Sequence, residues 1–295
     1  MNERKPVVVG YDGSSGSKYA VDWSARAAVR DRAPLVVVFA MEHVHLDSEG
    51  SARDSRRQAL ERAANDVVAE GAQRARVIAP AVEVSTRTSQ DGAATALQEL
   101  SADASLVVLG DRHRRRLHGE ILGSVATAVA AHAHCTVVLV PDGSDVEAGP
   151  RHPVVVGVDG SDGSDLAAWW AADLAATTHA KLVIASAWQT PPADHWSRLY
   201  LVDDEWRHGE IDRARHSATW FVDHARNLVR RDHPGLQIEG FVEENRPGKM
   251  LTRFSGKASV VVVGSRGGGD LTSLLLGSVS RSVMHRSRCP VAIVR

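Results

Sequence analysis

The chain of 295 residues is long enough for about two ordinary domains, each with a core of its own. Its 35 Lys and Arg against 36 Asp and Glu leave a formal net charge of −1, so no global field favours nucleic acid or an anionic membrane as a partner. The opening residues MNERKPVVVG lack the apolar stretch of a signal peptide, no run reaches membrane-span length, and Cys135 and Cys289 are too few for a disulfide framework; a cytoplasmic, reducing location is expected.

Read in chain order, short Val-rich runs alternate with helical patterns. The first half predicts strands at 6–11, 35–41, 81–87, 105–109 and 136–140, with helices at 17–30, 53–70 and 93–100 between them. The second half predicts strands at 153–158, 181–187, 236–242, 259–263 and 290–294, and Pro247 stands where a helix would begin. Most of these runs are continuously apolar, as expected of strands covered on both faces of a parallel sheet. Strand and helix in alternation predict a doubly wound α/β sheet, in which ligands bind beyond the carboxyl ends of the strands at the switch in strand order.

The two halves are copies. VVVGYDGSSGS from Val7 returns as VVVGVDGSDGS from Val154, 147 positions on, and ILGSVATAVAAHAHCTVVLV from Ile121 returns as LLGSVSRSVMHRSRCPVAIV from Leu275, 154 positions on. Seven residues therefore enter the middle of the second copy. The period is that of a whole domain rather than a solenoid repeat. PDGSDVEAGPRHP at 141–153 reads as the linker, giving domains 1–148 and 149–295.

Gly10, Gly110, Gly157 and Gly264 fall at or near the carboxyl ends of predicted strands, on the ligand-binding edge. After Gly264 come Gly267, Gly268 and Gly269, and then Gly277-Ser278 at the start of a helical pattern. Residues without a Cβ let the backbone approach an anion closely, and a helix start offers unpaired N–H groups, so the pattern suits a polyphosphate. The Ser278 hydroxyl is expected either on a phosphate oxygen or as an N-cap. A P-loop is excluded because no Lys adjoins Ser278, and the first strands are followed by GxxGxxG rather than the GxGxxG of dinucleotide dehydrogenases.

The spacing Gly264-x2-Gly267-x9-Gly277-Ser278, with Asp159 after the first strand of the same copy, resembles the ATP-binding signature of the universal stress protein family, and the likeness covers nearly the whole chain twice. It implies two tandem Rossmann-like domains of the adenine nucleotide alpha hydrolase type, each a five-stranded parallel sheet flanked by helices. The ligand it implies is ATP, with Mg²⁺. By position, Gly264, Gly267, Gly277 and Ser278 would hold ribose and phosphates, Asp159 would face the adenosine, and Ala187 would touch the adenine edge. Val158, Val263, Arg266, Val279 and Ser280 complete the expected set. In the first copy Asp12, Ala40, Gly110, Gly123, Ser124 and Val125 match, but His113 replaces the middle glycine and is followed by Arg114, Arg115 and Arg116. These arginines either form a charge-assisted phosphate cradle or a solvated basic loop beside a weakened site.

Other constellations are set aside. His43, His45 and Asp47 lack a further ligand at metal-site spacing, and of His132, His134 and Cys135 only the cysteine recurs, as Cys289, so both cysteines are expected as small core residues. Trp169 and Trp170, with Trp23 equivalent to Trp170, are expected to pack in the core. Trp196, Tyr200 and Trp206 fall near the seven-residue insertion, as a cover for the nucleotide, a contact with another chain, or a locally packed loop. Asp159, Asp162, Asp165 and Asp270 have no spacing that marks a catalytic base, and no metal site or catalytic residue is assigned.

The expectation is an ATP-binding stress-response module whose nucleotide occupancy biases its shape or its association with an unidentified protein partner, with a slow ATPase or nucleotidyl transferase and a nucleotide-independent scaffold as the alternatives. The copies are expected to pair about a pseudo-two-fold axis through apolar final strands such as 290–294, with homodimerisation open.

Overall fold

A computed structural model describes residues 4–41, 51–110, 123–144, 147–190, 204–268 and 276–295. The chain divides into two compact units, residues 1–145 with 290–293 and 295, and residues 146–289 with 294.

In the first copy the strands are β1 (Val7–Gly10), β2 (Leu35–Ala40), β3 (Val84–Ser89), β4 (Leu106–Gly110) and β5 (Thr136–Val140). They lie in the order β3-β2-β1-β4-β5, every neighbouring pair parallel. The helices between them are α1 (Ser15–Asp31), α2 (Ser51–Ile78), α3 (Ala93–Leu100) and α4 (Ser124–His132). The second copy repeats the plan with β6 (Val154–Gly157), β7 (Leu182–Trp188), β8 (Ile238–Glu244), β9 (Val260–Gly264) and β10 (Val291–Val294), in the order β8-β7-β6-β9-β10. The pairs β6/β7, β6/β9 and β7/β8 are parallel, and the helices are α5 (Asp162–Thr177), α6 (Asp204–Asp232), α7 (Pro247–Phe254) and α8 (Ser278–Arg286).

Local chemistry sets the element ends. Ser14 caps α1 by accepting a hydrogen bond from the Ser17 N–H, and Arg32 ends the helix at φ 51 with its N–H on the carbonyls of Ala28 and Val29. Ser161 caps α5 in the same way from Ser164, with Asp162 and Asp165 placed against the positive helix end. Pro247 opens α7 at the position where its missing N–H costs nothing. Central strands are sealed from water on both faces: Val154, Val155 and Val156 are fully buried, as are Val7 and Val9.

Helix faces against the sheet are small rather than aromatic. Ala167, Ala168, Ala171, Ala172 and Ala175 of α5 are all fully buried. This corrects the expectation for the tryptophans: Trp169 is 43% exposed, edge-on to His233 with ring centroids 6.2 Å apart, and Trp23 and Trp170 are only half-buried. Neighbouring residues on a helix point about 100° apart, and alanines already occupy the arc that meets the strands closely. Cys289 is buried and Cys135 partly so, and burial pushes both thiols up to about 11, which keeps them as unreactive thiols.

The edge strands differ most from expectation, β3 and β8 each beginning and ending later in the chain than the Val-rich signal indicated. Most of β3 is exposed, so its sequence carries little apolar pattern to read. The helix expected at 53–70 runs on to Ile78.

The seam between α1 and α2 is ionic. Asp22, 7% exposed, takes a forked pair of bonds from Arg74, Nε to Oδ1 at 2.5 Å and Nη2 to Oδ2 at 2.6 Å. These bonds hold the Arg74 guanidinium above its usual pKa against the opposing effect of burial. Lys18 pairs with Glu70 at 3.1 Å one turn away. At the equivalent places of the second copy Asp165 meets His224 at 3.0 Å, so the acid stands on the first helix of the pair rather than the second. Arg74→Ala is expected to destabilise the chain by about 1–2 kcal/mol, because Asp22 loses its partner while the 40% exposure of Arg74 screens the pair. Urea denaturation followed by circular dichroism measures it, and an unchanged midpoint would mean that water replaces the guanidinium without cost.

Candidate functional site

In both copies the strand order reverses beside the first strand, between β1 and β4 and between β6 and β9. Crossovers leave in opposite directions there, which opens a crevice at the carboxyl ends of the strands. In the second unit this crevice is a cleft of about 300 Å³. Val158, Asp159, Ala187, Val263, Gly264, Arg266, Gly267, Gly277, Ser278, Val279 and Ser280 all line it. Four separate strand or loop ends are thereby brought to one place.

Asp159 follows β6 and is held from two sides. Its Oδ1 accepts from the Ser161 hydroxyl at 2.5 Å and the Ser161 N–H at 3.2 Å, and its Oδ2 accepts from the Gly268 N–H at 3.1 Å. Gly160 next to it has φ +78, a backbone state that glycine adopts without strain. Gly264 ends β9 against the start of α5: a Cβ there would stand 2.8 Å from both C and O of Gly163. The backbone then turns, and Gly277 N–H donates to Ser265 O at 2.9 Å, which sets α8 directly over the strand end.

Gly277, and not Ser278, occupies the N-cap of α8, with φ −65 and ψ 157 and no side chain on the helix amides. Ser278 is the first helical residue, so its hydroxyl and the first-turn N–H groups stand at the mouth. Ser280 is buried and donates its hydroxyl to Gly264 O at 2.7 Å, bracing the helix on the strand rather than reaching outward. Positively polarised amides at one end of the cleft and the Asp159 carboxylate at another suit a ligand that is anionic at one end and offers hydroxyl donors elsewhere.

Part of the cleft comes from residues that sequence reasoning missed. Phe221 of α6, Met250 and Leu251 of α7, and Ser186 of β7 line it; Ser186 donates to Val158 O at 2.9 Å. Pro247, noted only as a helix start, is also a wall. Phe221 packs so closely on Gly160 that a Cβ at that glycine would overlap its ring. The one available signal was the repeat itself, since position 221 is equivalent to Val67 in the first copy and has gained an aromatic ring.

In the first unit Asp12, Ala40 and Gly110 lie at or just after strand ends, and Gly123, Ser124 and Val125 form the N-cap and first turn of α4. Asp12 Oδ1 accepts from the Ser14 N–H at 3.0 Å. His113 to Arg116 lie outside the described residues, as do His43, His45, Asp47, Trp196, Tyr200 and Asp270. Trp206 belongs to the first turn of α6. Among the described residues no group of three or more His, Cys, Asp or Glu side chains is placed to hold a metal ion.

The fold and the cleft define a class: a tandem doubly wound α/β protein with a glycine-lined crevice at the switch point of its second unit. The family model described as the universal stress protein family matches residues 3–141 and again 150–295, and the chain belongs to that family. It is similar to Universal stress protein Rv1996 of Mycobacterium tuberculosis, 32% identical over 310 residues, covering 98% of this chain and 94% of the relative. Universal stress protein Rv2623 of the same organism is 31% identical over 305 residues, covering 100% of this chain and 97% of the relative. Among solved structures, a universal stress protein from Archaeoglobus fulgidus superposes with a TM-score of 0.70 at 18% identity, covering 98% of this chain and 96% of that one, a likeness of fold. No described helix is long and apolar enough to cross a membrane.

Proposed function

We propose that the second unit binds an adenine nucleotide, ATP, and that its occupancy regulates the association of this chain with a protein partner. The observation that carries the reading is the meeting, in one cleft, of the Asp159 carboxylate, the glycines after β9 and the free amides at the start of α8. A nucleotide has matching parts: ribose hydroxyls for the carboxylate, phosphates for the amides and a flat apolar base for the Phe221 and Met250 side. Gly277 fits the same role, since among the described residues a Cβ there would meet no neighbour closer than 3.6 Å, which leaves space for a ligand at the helix start.

Mg²⁺ would enter with the phosphates and neutralise part of their charge, and Asp159, the nearest acid of the cleft, is already engaged by Ser161 and Gly268. Each of its oxygens already accepts a hydrogen bond from within the protein. Binding is therefore favoured over phosphoryl transfer, and slow hydrolysis or nucleotidyl transfer in the same pocket is the second reading.

Native mass spectrometry of the purified chain, followed by denaturing release of small molecules, tests the proposal. One ATP per chain, lost on mutation of the second cleft, is the expected result. Two per chain would give the first copy a working site despite His113. None after addition of ATP and Mg²⁺ would overturn the nucleotide reading in favour of a scaffold.

A further inference from the structure

We infer that Asp159 is a positioning residue for the glycine segment of the cleft: anchored by Ser161, its carboxylate fixes the backbone at 267–268 and thereby dictates glycine at position 267. The consequence for ligand binding rests on the nucleotide reading above, whereas the contact itself does not.

The carboxylate bridges two segments far apart in the chain. On the α5 side Oδ1 accepts from both the N–H and the hydroxyl of Ser161, the residue that also caps α5. On the β9 side Oδ2 accepts from Gly268 N–H at 3.1 Å, a charge-assisted bond to backbone. With the carboxylate there, a Cβ at position 267 would fall well inside 3.0 Å of Oδ2. For the carboxylate to swing aside it would have to give up its bonds to Ser161 and to Gly268.

Glycine at 267 is thus favoured by the protein itself before any ligand arrives. The equivalent residue of the first copy is His113, which carries a Cβ. In the second copy the bridge presents the segment already ordered, so the ligand does not bear the entropy of ordering it.

The test is a double-mutant cycle read without nucleotide. Gly267→Ala should lower the melting temperature by about 3 °C when Asp159 is present and by less than about 1 °C in the Asp159→Ala background, because the overlap has gone. Hydrogen exchange at the Gly268 amide should accelerate by about ten-fold in Asp159→Ala. Equal losses in both backgrounds, or unchanged exchange at Gly268, would overturn the inference. Failure to find bound ATP in the wild-type chain would leave this result untouched, so the two ideas fail separately.

Discussion

Gly110→Ala is expected to lower the melting temperature of the first unit by about 6–12 °C, on a destabilisation of about 3 kcal/mol. Gly110 ends β4 where α1 begins, and a Cβ there would overlap the C and O atoms of Gly16 and stand 2.6 Å from Ser17 N. All of these are backbone atoms, so no side chain can swing aside. The start of α1 is itself pinned by the Ser14 cap and cannot retreat without losing those bonds. Gly123→Ala is the control: among the described residues a Cβ there meets nothing within 4 Å, and the loss should stay within about 1 kcal/mol. Scanning calorimetry that found the two variants equal would mean that α1 and β4 are less closely packed than described.

Gly277→Ala should leave melting within about 2 °C of wild type yet weaken ATP binding by about 10- to 100-fold, which is about 1.4–2.7 kcal/mol. The extended backbone at φ −65 and ψ 157 accepts any residue, and the nearest atoms to the new methyl, Ser265 O and Ser280 Oγ, lie at 3.6 Å. The described residues leave room for the methyl group; a phosphate bound on the first amides of α8 would not. Isothermal titration of both proteins with ATP and Mg²⁺ decides it. Unchanged affinity would remove the phosphates from the start of α8, and lost stability would make Gly277 a folding residue instead.

These two glycines are equally legible in the sequence and differ in what the fold puts opposite them. Spacing places Gly110 and Gly277 at a strand end and a helix start because such signals are local: an apolar run stops, a polar cap begins. Whether the missing Cβ makes room for backbone or for ligand depends on what another part of the chain puts opposite it. Gly267 shows the same limit, since its neighbour is the carboxylate of Asp159, brought there by the crossover through α5.

By itself the sequence determined the duplication, the parallel α/β plan, the edge of the sheet that carries the cleft and the glycines lining it. Periodicity, capping residues and the repeat are properties of short segments and survive being read one after another. Only the tertiary structure decided that Phe221, Met250 and Leu251 close the apolar side of the cleft, that Trp169 stands at the surface while alanines meet the sheet, and that Asp159 grips Gly268. Each of those depends on which elements the crossovers bring together, a relation between distant residues that no single segment encodes.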